Sequence, residues 1–521
     1  MKKTSNILSK IALGISAIIL IYLSVNAIHY TFNMNLYYYE GISFITEGPD
    51  SRLKNLIAVC LLFVVLFLLS KLLFIKAKDD FMRIKRVRIL AGTFSFVVLV
   101  ILIVFVTKTR FSVECDQYEV FVRALALADN DYSSVSDYYF QMYPQQMGLA
   151  FFESFFLKFT DNHLIFQIMN SIFIAATLYL ITSLACELFE NPYIGFFTFA
   201  ITFLCLPLYY YVSFVYGDVC MIFAYILISF CAVKWMKSKK IFYAVIFLLA
   251  SLIIVPIRKN ALVFLLALAI VFVLQSLYTK KFLPIILAVM IIVLPLLSAK
   301  GINSYYEAKG NTKIENPMPS INWIAMGLYE AVNENCSVGV YNMYNELTYF
   351  NAQRDTKLSA EISMNFIKER LAYFKENPAE GHYFFRFKIL EQWLEPTFSS
   401  IDSTVGPHKY CWDEVKFSYD YHTLDTMNTI MNYLQSFVYI FSLLFVIYSL
   451  KHNEDPKYMI TIVGFIGGFL FSIIWEASGR YVFPYFILLL PSAAAGVSKA
   501  WDLLILPFNK LRKRNNNEQL S

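Results

Sequence analysis

Two acidic residues that could act in proton transfer follow a long apolar run in the first quarter of the chain. Residues 111–119, FSVECDQYE, come directly after that run and include Glu114 and Asp116. A carboxylate beside hydrocarbon is costly unless water, a metal, a partner charge or a substrate satisfies it. Asp116 could therefore accept a proton from an acceptor group, or orient that group. The alternative is a solvated loop acid beside Arg110 or Arg123.

Further charged residues stand at turns between apolar runs, where they could meet an anion. Asp218 lies in PLYYYVSFVYGDVCMIF and could instead be the N-cap of the following helix. Arg258 and Lys259, in VPIRKNALVF, could clamp a phosphate or extend to lipid headgroups. Arg480, in WEASGRYVFPYF, could bind a phosphate or pair with Glu476. We therefore take Arg258, Lys259 and Arg480 as candidate phosphate-binding residues.

The composition identifies the environment of these residues. The chain has 521 residues, of which 58% are hydrophobic and 16% charged, and its mean hydropathy is +0.55. Soluble domains are nearer a quarter charged, so we predict a polytopic membrane protein. The net charge of +6 comes with Lys and Arg in short loops, so we expect membrane lipids and no nucleic acid as partners. Its eight Cys show no disulfide framework or metal spacing, although a Cys336–Cys411 bridge stays open.

Twelve apolar runs have the length that one helix needs to cross hydrocarbon, about 17–25 residues. No small-residue cleavage site follows the first of them, which we interpret as a retained span. A further run, 144–159, is short and contains Glu153 and Lys158. We expect it to lie in the outer interface as a helix. The predicted spans are 7–28, 54–75, 89–107, 163–186, 192–211, 219–236, 241–257, 260–278, 282–298, 428–450, 458–475 and 481–497.

The distribution of basic loops predicts the orientation of these spans. If 144–159 does not cross and the N-terminus is cytoplasmic, every strongly basic loop lies inside, as the positive-inside rule asks. We therefore predict an all-α protein of the cell membrane with about twelve transmembrane helices and both termini cytoplasmic. The basic loops are 76–88, 234–240, 278–281, 451–457 and the tail 509–514.

Two long segments, 108–162 and 299–427, are then predicted to lie outside. The second contains an amphipathic stretch, HYFFRFKILEQWLEP, that could lie along the membrane surface. Its Glu391 and Trp393 could meet the face of a sugar, although an interfacial anchor also explains the tryptophan. In the first segment we take Tyr118 and Tyr143 as candidate substrate contacts.

The order of these parts resembles the C-type glycosyltransferase (GT-C) superfamily, which includes protein O-mannosyltransferases and the aminoarabinose transferase of lipid A. In that superfamily the first large outer loop carries an acidic motif soon after a span, which Glu114, Cys115 and Asp116 match. Interfacial helices and a Tyr-Pro-Pro-Gly-like turn follow. Here the sequence from Tyr143 to Gly148 is YPQQMG, a departure from that turn.

The resemblance continues over about residues 80–300. The superfamily next has two spans, a Pro-Leu-aromatic segment and a second outer acid, which PLYYYVSFVYGD and its Asp218 fit. A span then ends in a basic residue at the outer turn, as Arg258 or Lys259 does. GRYVFPYF and QWLEP, further along the chain, resemble Gram-positive members that decorate envelope polymers.

The resemblance implies a glycosyltransferase whose sugar donor is carried on undecaprenyl phosphate. Asp116, with Glu114 beside it, would take the proton of an acceptor hydroxyl that attacks the anomeric carbon with inversion. Arg258, Lys259 or Arg480 would meet the charge of the phosphate that leaves. The acceptor would be an envelope glycopolymer or a protein. Asp218 would support the base or a divalent ion, and the sequence leaves Mg²⁺ or Mn²⁺ open.

Other functions stay open at this stage. A flippase would need a charged path across the spans, which the sequence lacks. A polymerase or ligase of lipid-linked oligosaccharides would use a large outer loop with Arg and His, and His382, His408 and His422 keep it open. A non-catalytic membrane protein is a third alternative. The predicted units are 1–88, 89–298 with the outer loop 108–162, 299–427, 428–497 and the cytoplasmic tail 498–521.

Overall fold

Helices make up most of the protein. The computed structural model describes residues 1–35, 42–47, 49–75, 77, 79–330, 338–405, 421–452 and 455–518. Cys336 and Cys411 lie outside these ranges, as does His408, so the disulfide alternative concerns residues that the structure does not describe.

The first part of the chain builds most of the bundle. Its helices are α1 (Lys2–His29), α2 (Pro49–Phe74), α3 (Asp80–Thr109), α4 (Asp116–Ala128), α5 (Tyr138–Met142), α6 (Met147–Leu157), α7 (Leu164–Phe189), α8 (Pro192–Phe203), α9 (Pro207–Tyr210), α10 (Asp218–Ser238), α11 (Ile241–Ile257), α12 (Ala261–Thr279) and α13 (Leu283–Lys309). The later helices are α14 (Ile321–Met326), α15 (Tyr344–Asn351), α16 (Thr356–Glu376), α17 (Pro378–Trp393), α18 (Ser400–Val405), α19 (Tyr421–Lys451), α20 (Met459–Ile474) and α21 (Gly479–Glu518).

One small sheet interrupts the helical order. Strands β1 (Tyr30–Asn35) and β2 (Ile42–Glu47) pair antiparallel between α1 and α2. This hairpin was not predicted from the sequence. The rest of the described chain fits the all-α expectation.

The long helices confirm a multi-pass membrane protein. Among the described residues, ten helices are long and apolar enough to cross a bilayer. The helical pair Pro192–Phe203 and Pro207–Ser213, bent by 55°, would be an eleventh span. The remaining predicted span coincides with α11, an apolar helix of 17 residues. Each predicted run therefore coincides with a helix or with the bent pair, while the total of twelve crossings stays a prediction.

An ion-pair cluster joins two of the basic loops at one end of the bundle. Glu187, near the end of α7, accepts a hydrogen bond from Arg88 at 2.6 Å. The same carboxylate pairs with Lys234 at 3.1 Å and Lys237 at 3.5 Å. Arg88 lies in the third turn of α3, within the predicted basic loop 76–88, and the two lysines stand at the end of α10. We call this end of the bundle the basic end.

Two more basic loops, 278–281 and 451–457, lie at the same end. Burial lowers the pKa of Lys239, and the charge of Lys281 lowers it further. The two lysines therefore lie near each other. The ring of Phe189 stacks on Tyr458, with 5.5 Å between their centroids. Asp455 opposes the lowered pKa of Lys239, so residues of the loops 234–240, 278–281 and 451–457 lie near one another, as the predicted orientation requires.

The opposite end carries the segments predicted to be outside. Helix α3 has 30 residues, about 45 Å of chain, and so takes the chain from the basic end to the other. Helix α6, predicted not to span, has 11 residues, too few to cross about 30 Å of hydrocarbon. It packs closely on α11, because a Cβ at Gly148 would lie 2.2 Å from the carbonyl oxygen of Pro256. That it lies in the outer interface stays a prediction.

The second outer segment is fixed to this end by buried polar contacts. Lys388 of α17 is fully buried and donates a hydrogen bond to the carbonyl oxygen of Gly327. The Trp393 indole donates to the Ser472 hydroxyl of α20 at 3.0 Å. Helices α14 to α17 are thereby held over the ends of α20 and α21, where they cover the cavity described below.

The sidedness of the two ends can be tested with a membrane-impermeant maleimide. Ser238 is exposed at the basic end and Ser133 at the opposite end. In a chain whose Cys115, Cys336 and Cys411 are replaced by serine, we expect Ser133→Cys to be labelled in intact cells. Ser238→Cys should be labelled only after permeabilisation. Labelling of Ser238→Cys from outside would contradict the orientation.

Candidate functional site

A cavity of about 790 Å³ opens at the end of the bundle opposite the basic end. Five separate parts of the chain form its walls, and many of the lining side chains are aromatic. The lining residues are Cys115, Asp116, Tyr139, Tyr143, Gln145, Gln146, Tyr216, Ile257, Arg258, Lys259, Asn260, Leu262, Val263, Ser320, Trp323, Tyr341, Asn345, Glu346, Phe471, Trp475, Glu476, Arg480 and Tyr481.

Asp116 stands at the beginning of α4, on one wall of the cavity. The backbone before it turns sharply at Cys115, whose φ is +51°. The next residue, Gln117, is buried and accepts a hydrogen bond from the backbone N–H of Val215 at 2.7 Å. This bond ties the start of α4 to the segment before α10. Asp116 itself is exposed, and a helix N-terminus favours a negative charge there.

A buried carboxylate shared by two guanidinium groups lies beside that wall. Arg258 donates to Asp218 Oδ1 at 3.1 Å, and the Nε of Arg480 lies 4.0 Å from the same oxygen. The side chains of Asp218 and Arg258 are 2% and 8% exposed. Two cations therefore share one buried anion, and the cluster carries an excess of positive charge next to the cavity.

Gly217 allows this cluster to form. Its φ is +83°, a conformation that favours glycine. A Cβ there would also lie 3.1 Å from Cγ of Arg258 and 2.6 Å from Ile257 Cγ2. The glycine thus lets α10 begin at Asp218 while the end of α11 lies against it.

Tyr216 connects the base candidate with the cationic pair. Its hydroxyl donates to Asp116 Oδ2 at 3.3 Å and accepts from Gln146 Nε2 at 2.5 Å. The guanidinium carbons of Arg258 and Arg480 lie 4.8 and 5.6 Å from its ring centroid. Burial and then the charge of Asp116 raise the pKa of this phenol, so it stays protonated and can donate its hydrogen bond.

A second acid borders the cationic pair from the other side. Glu476, in the loop between α20 and α21, accepts a hydrogen bond from the Tyr481 hydroxyl at 3.3 Å. Burial raises the pKa of its carboxyl to about 7, against the opposing charge of Arg480. Burial also lowers the pKa of Lys388, which lies behind it, to about 7. The charge around Arg480 therefore becomes more positive as the pH falls through 7.

The structure brings most of the predicted charged residues together. Asp218 does not line the cavity itself, but it accepts a hydrogen bond from Arg258, which does. The predicted residues that line the cavity are Asp116, Tyr143, Arg258, Lys259 and Arg480.

Four other predicted residues do not line it. Glu114 instead accepts a hydrogen bond from the Ser112 hydroxyl at 2.7 Å. Tyr118 is 53% exposed. It stands two positions after Asp116 on α4, a rotation of about 200° around the helix axis, so it points away from the cavity. Trp393 is fully buried in the core, because it lies on the face of α17 that packs against α20. Glu391, on the same helix, does not line the cavity either. This placement does not support the expected sugar contact by Trp393 and Glu391.

Sequence reasoning missed the aromatic and polar residues that complete the cavity. Tyr216 stands two positions before Asp218, so its place beside the acid was available from the sequence. Glu346, Asn345 and Tyr341 come from the middle of the second outer segment, where no pattern distinguishes them. His382, which kept a ligase open, is exposed and outside the lining.

The described residues of the cavity do not form a dedicated protein site for a metal. Within the part of the chain that the structure describes, no three His, Cys, Asp or Glu side chains come together in a way that could hold one. Divalent ions usually take several oxygen ligands at once. We therefore derive no step through Mg²⁺ or Mn²⁺.

The comparisons with known proteins add no relative. No model of a protein family matches the chain, and no curated protein is significantly similar to it. The likeness to GT-C enzymes thus rests on the order of the parts.

The shared carboxylate makes a stability prediction. Asp218→Asn would leave the buried guanidinium group of Arg258 and the half-buried one of Arg480 without their anion, and breaking such a buried pair costs about 3 kcal/mol or more. We expect that loss in the free energy of unfolding, measured by reversible unfolding in mixed detergent micelles. Glu330→Gln is the matched control, because Glu330 pairs with Arg370 at 2.7 Å but is 57% exposed. Equal effects of the two substitutions would contradict the role of Asp218.

Proposed function

We propose that this protein is a glycosyltransferase. It would move a sugar from a polyprenyl phosphate, such as undecaprenyl phosphate, to an acceptor outside the membrane. The observation that carries the proposal is that Asp116 and the cationic cluster of Arg258 and Arg480 lie at the same cavity. Tyr216 contacts both. An acid–base group and an anion-binding group must lie this close when a hydroxyl displaces a phosphate from one carbon.

The cationic pair suits the phosphate of the donor. Arg258 and Arg480 present planar donor groups, which match phosphate oxygens well. The Nε atoms of both are buried and donate no hydrogen bond to any described residue. Asp218 neutralises only one of the two charges. The unused donors and the remaining charge favour an anion at this place.

The apolar part of the wall suits a prenyl chain. Ile257, Leu262, Val263 and Phe471 line the cavity where α11, α12 and α20 meet. On α12 and α20, Leu266 and Leu470 are 52% and 50% exposed, as expected for side chains that face lipid. A lipid-linked donor could therefore keep its chain in the bilayer while its phosphate meets the arginines.

The reaction that we propose is a single displacement. The acceptor oxygen forms a bond to the anomeric carbon and passes its proton to Asp116. The bond between that carbon and the phosphate oxygen breaks, and the electron pair leaves on the polyprenyl phosphate. The arginines stabilise the negative charge that develops there. Attack opposite to the leaving group inverts the anomeric centre.

Asp116→Asn tests the base. A general base contributes about 10²- to 10⁴-fold, so we expect transfer to fall at least about 100-fold. The assay is transfer of a radiolabelled sugar from polyprenyl-phosphate donors in vesicles that contain the purified protein. Asp129→Asn is the matched control, because Asp129 is an exposed acid at the end of the same helix. It should transfer at the wild-type rate, and equal activity of both variants would exclude Asp116 as the base.

Glu476 predicts a pH dependence of donor binding. The pKa of Glu476 is raised to about 7, so its carboxyl is mostly neutral below that pH and ionised above it. A phosphodiester donor keeps its single charge throughout, so the carboxylate weakens the attraction to Arg480 only at higher pH. We expect the KM for donor to rise between about pH 6 and about pH 8. Glu476→Gln should flatten this rise and leave only the contribution of Lys388, which loses its charge over the same interval. A wild-type KM that falls over this interval would contradict the assignment.

A further inference from the structure

The side of the cavity that covers Asp116 from outside has no part in the reaction above. It is formed by the second outer segment, and we call it the roof. The roof residues are Ser320, Trp323, Tyr341, Asn345 and Glu346. Acceptors arrive from outside, so the chemistry of these side chains bears on the acceptor.

A carboxylate at the roof joins the two outer segments. Glu346 Oε1 accepts hydrogen bonds from the hydroxyls of Tyr143 at 2.8 Å and Tyr341 at 3.1 Å. Its Oε2 accepts none from the described residues. Burial is the largest cause of the raised pKa of both tyrosines. Glu346 is the next cause, and the charge of Asp116 also contributes. The roof carboxylate and the proposed base therefore face the same space.

A buried amide beside Glu346 lacks a partner. Asn345 is 2% exposed and lines the cavity, yet its Oδ1 accepts no hydrogen bond from any described residue. Its backbone oxygen accepts from the Asn322 amide at 3.0 Å, and that amide is fixed in turn by Ser359 and Ser363. A buried polar atom without a partner costs about 1–3 kcal/mol, so a ligand that donates to it is favoured.

A wall of packed aromatic rings borders these polar groups. The indoles of Trp323 and Trp475 are nearly parallel, at 6° and 6.1 Å between ring centroids. Phe471 stacks on Trp475 at 5.4 Å. Tyr143 meets Trp323 edge-on at 6.0 Å. A wall of this kind offers apolar, polarisable area to a flat apolar face of a ligand.

We propose that the roof binds a carbohydrate without charged groups and that this carbohydrate is the acceptor. This inference rests on the proposed glycosyltransferase function and names its acceptor class. A pyranose has an apolar C–H face, which would lie on the aromatic wall, and hydroxyls that donate to Asn345 Oδ1 and Glu346 Oε2. An anionic polymer would instead meet the carboxylates of Glu346 and Asp116, which repel it.

The test measures binding without any donor. The full-length protein in lipid nanodiscs is titrated by calorimetry with maltotetraose, chitotetraose, a glycerol phosphate oligomer and a tetrapeptide. We expect saturable binding of a neutral oligosaccharide and at least about tenfold weaker binding in Asn345→Ala, the value for about 1.4 kcal/mol. In Glu346→Gln the amide oxygen can still accept the hydrogen bonds of Tyr143 and Tyr341, so the contact between the two outer segments is preserved. The substitution removes the acceptor Oε2, so we expect weaker binding. Leu347→Ala is the control, because Leu347 is on the same helix and 52% exposed.

The outcomes separate this inference from the proposed function. Failure of both oligosaccharides to bind, tighter binding of the glycerol phosphate oligomer or of the peptide, or unchanged binding in both roof variants would overturn the carbohydrate assignment. None of these results bears on sugar transfer, which the Asp116 assay measures by itself. If oligosaccharide binds at the roof but Asp116→Asn transfers normally, the base assignment fails and the carbohydrate site stands.

Discussion

The site depends on one electrostatic arrangement, the carboxylate of Asp218 shared by the guanidinium groups of Arg258 and Arg480. Two charges held in a buried place without an anion would be strongly unfavourable. One anion makes the pair tolerable and leaves an excess of one positive charge. The surroundings are adapted to it: Gly217 permits the close contact, and the Tyr216 ring lies against both guanidinium groups. The excess charge is what makes this end of the bundle suited to a phosphate.

Charge is distributed between the two ends of the bundle in different ways. At the basic end, lysines and arginines surround Glu187 in exposed or half-buried pairs, as expected for loops that face cytoplasm. At the other end Arg258 is buried and Arg480 half-buried, and aromatic rings lie against both. Pairs of the first kind contribute little to stability. Groups of the second kind cost free energy, and we interpret that cost as a sign of function.

Much of the architecture was predictable from sequence because hydrophobic length and loop charge are local properties. Each predicted span became a helix or, at 192–211, a bent helical pair, and the four basic loops before the tail gathered at one end. Asp116, Asp218, Arg258 and Arg480 also met, because turns at the same end of a helical bundle lie close together. Contacts between distant segments could not be predicted in this way. The bond between Tyr143 and Glu346 spans 203 positions, and the burial of Trp393 depends on how α17 docks against α20. The hairpin of β1 and β2 escaped for a related reason, since its strands are short and lie between two strong helical patterns.

The most direct test of the central claim is the affinity of the protein for polyprenyl phosphate itself, titrated into nanodiscs that contain the full chain. If Arg480 provides the unneutralised charge, Arg480→Gln binds the lipid phosphate at least about tenfold more weakly than wild type. Lys309→Gln removes an exposed cation at the same end and should leave the affinity unchanged. Equal affinity of the wild-type and Arg480→Gln proteins would contradict the account.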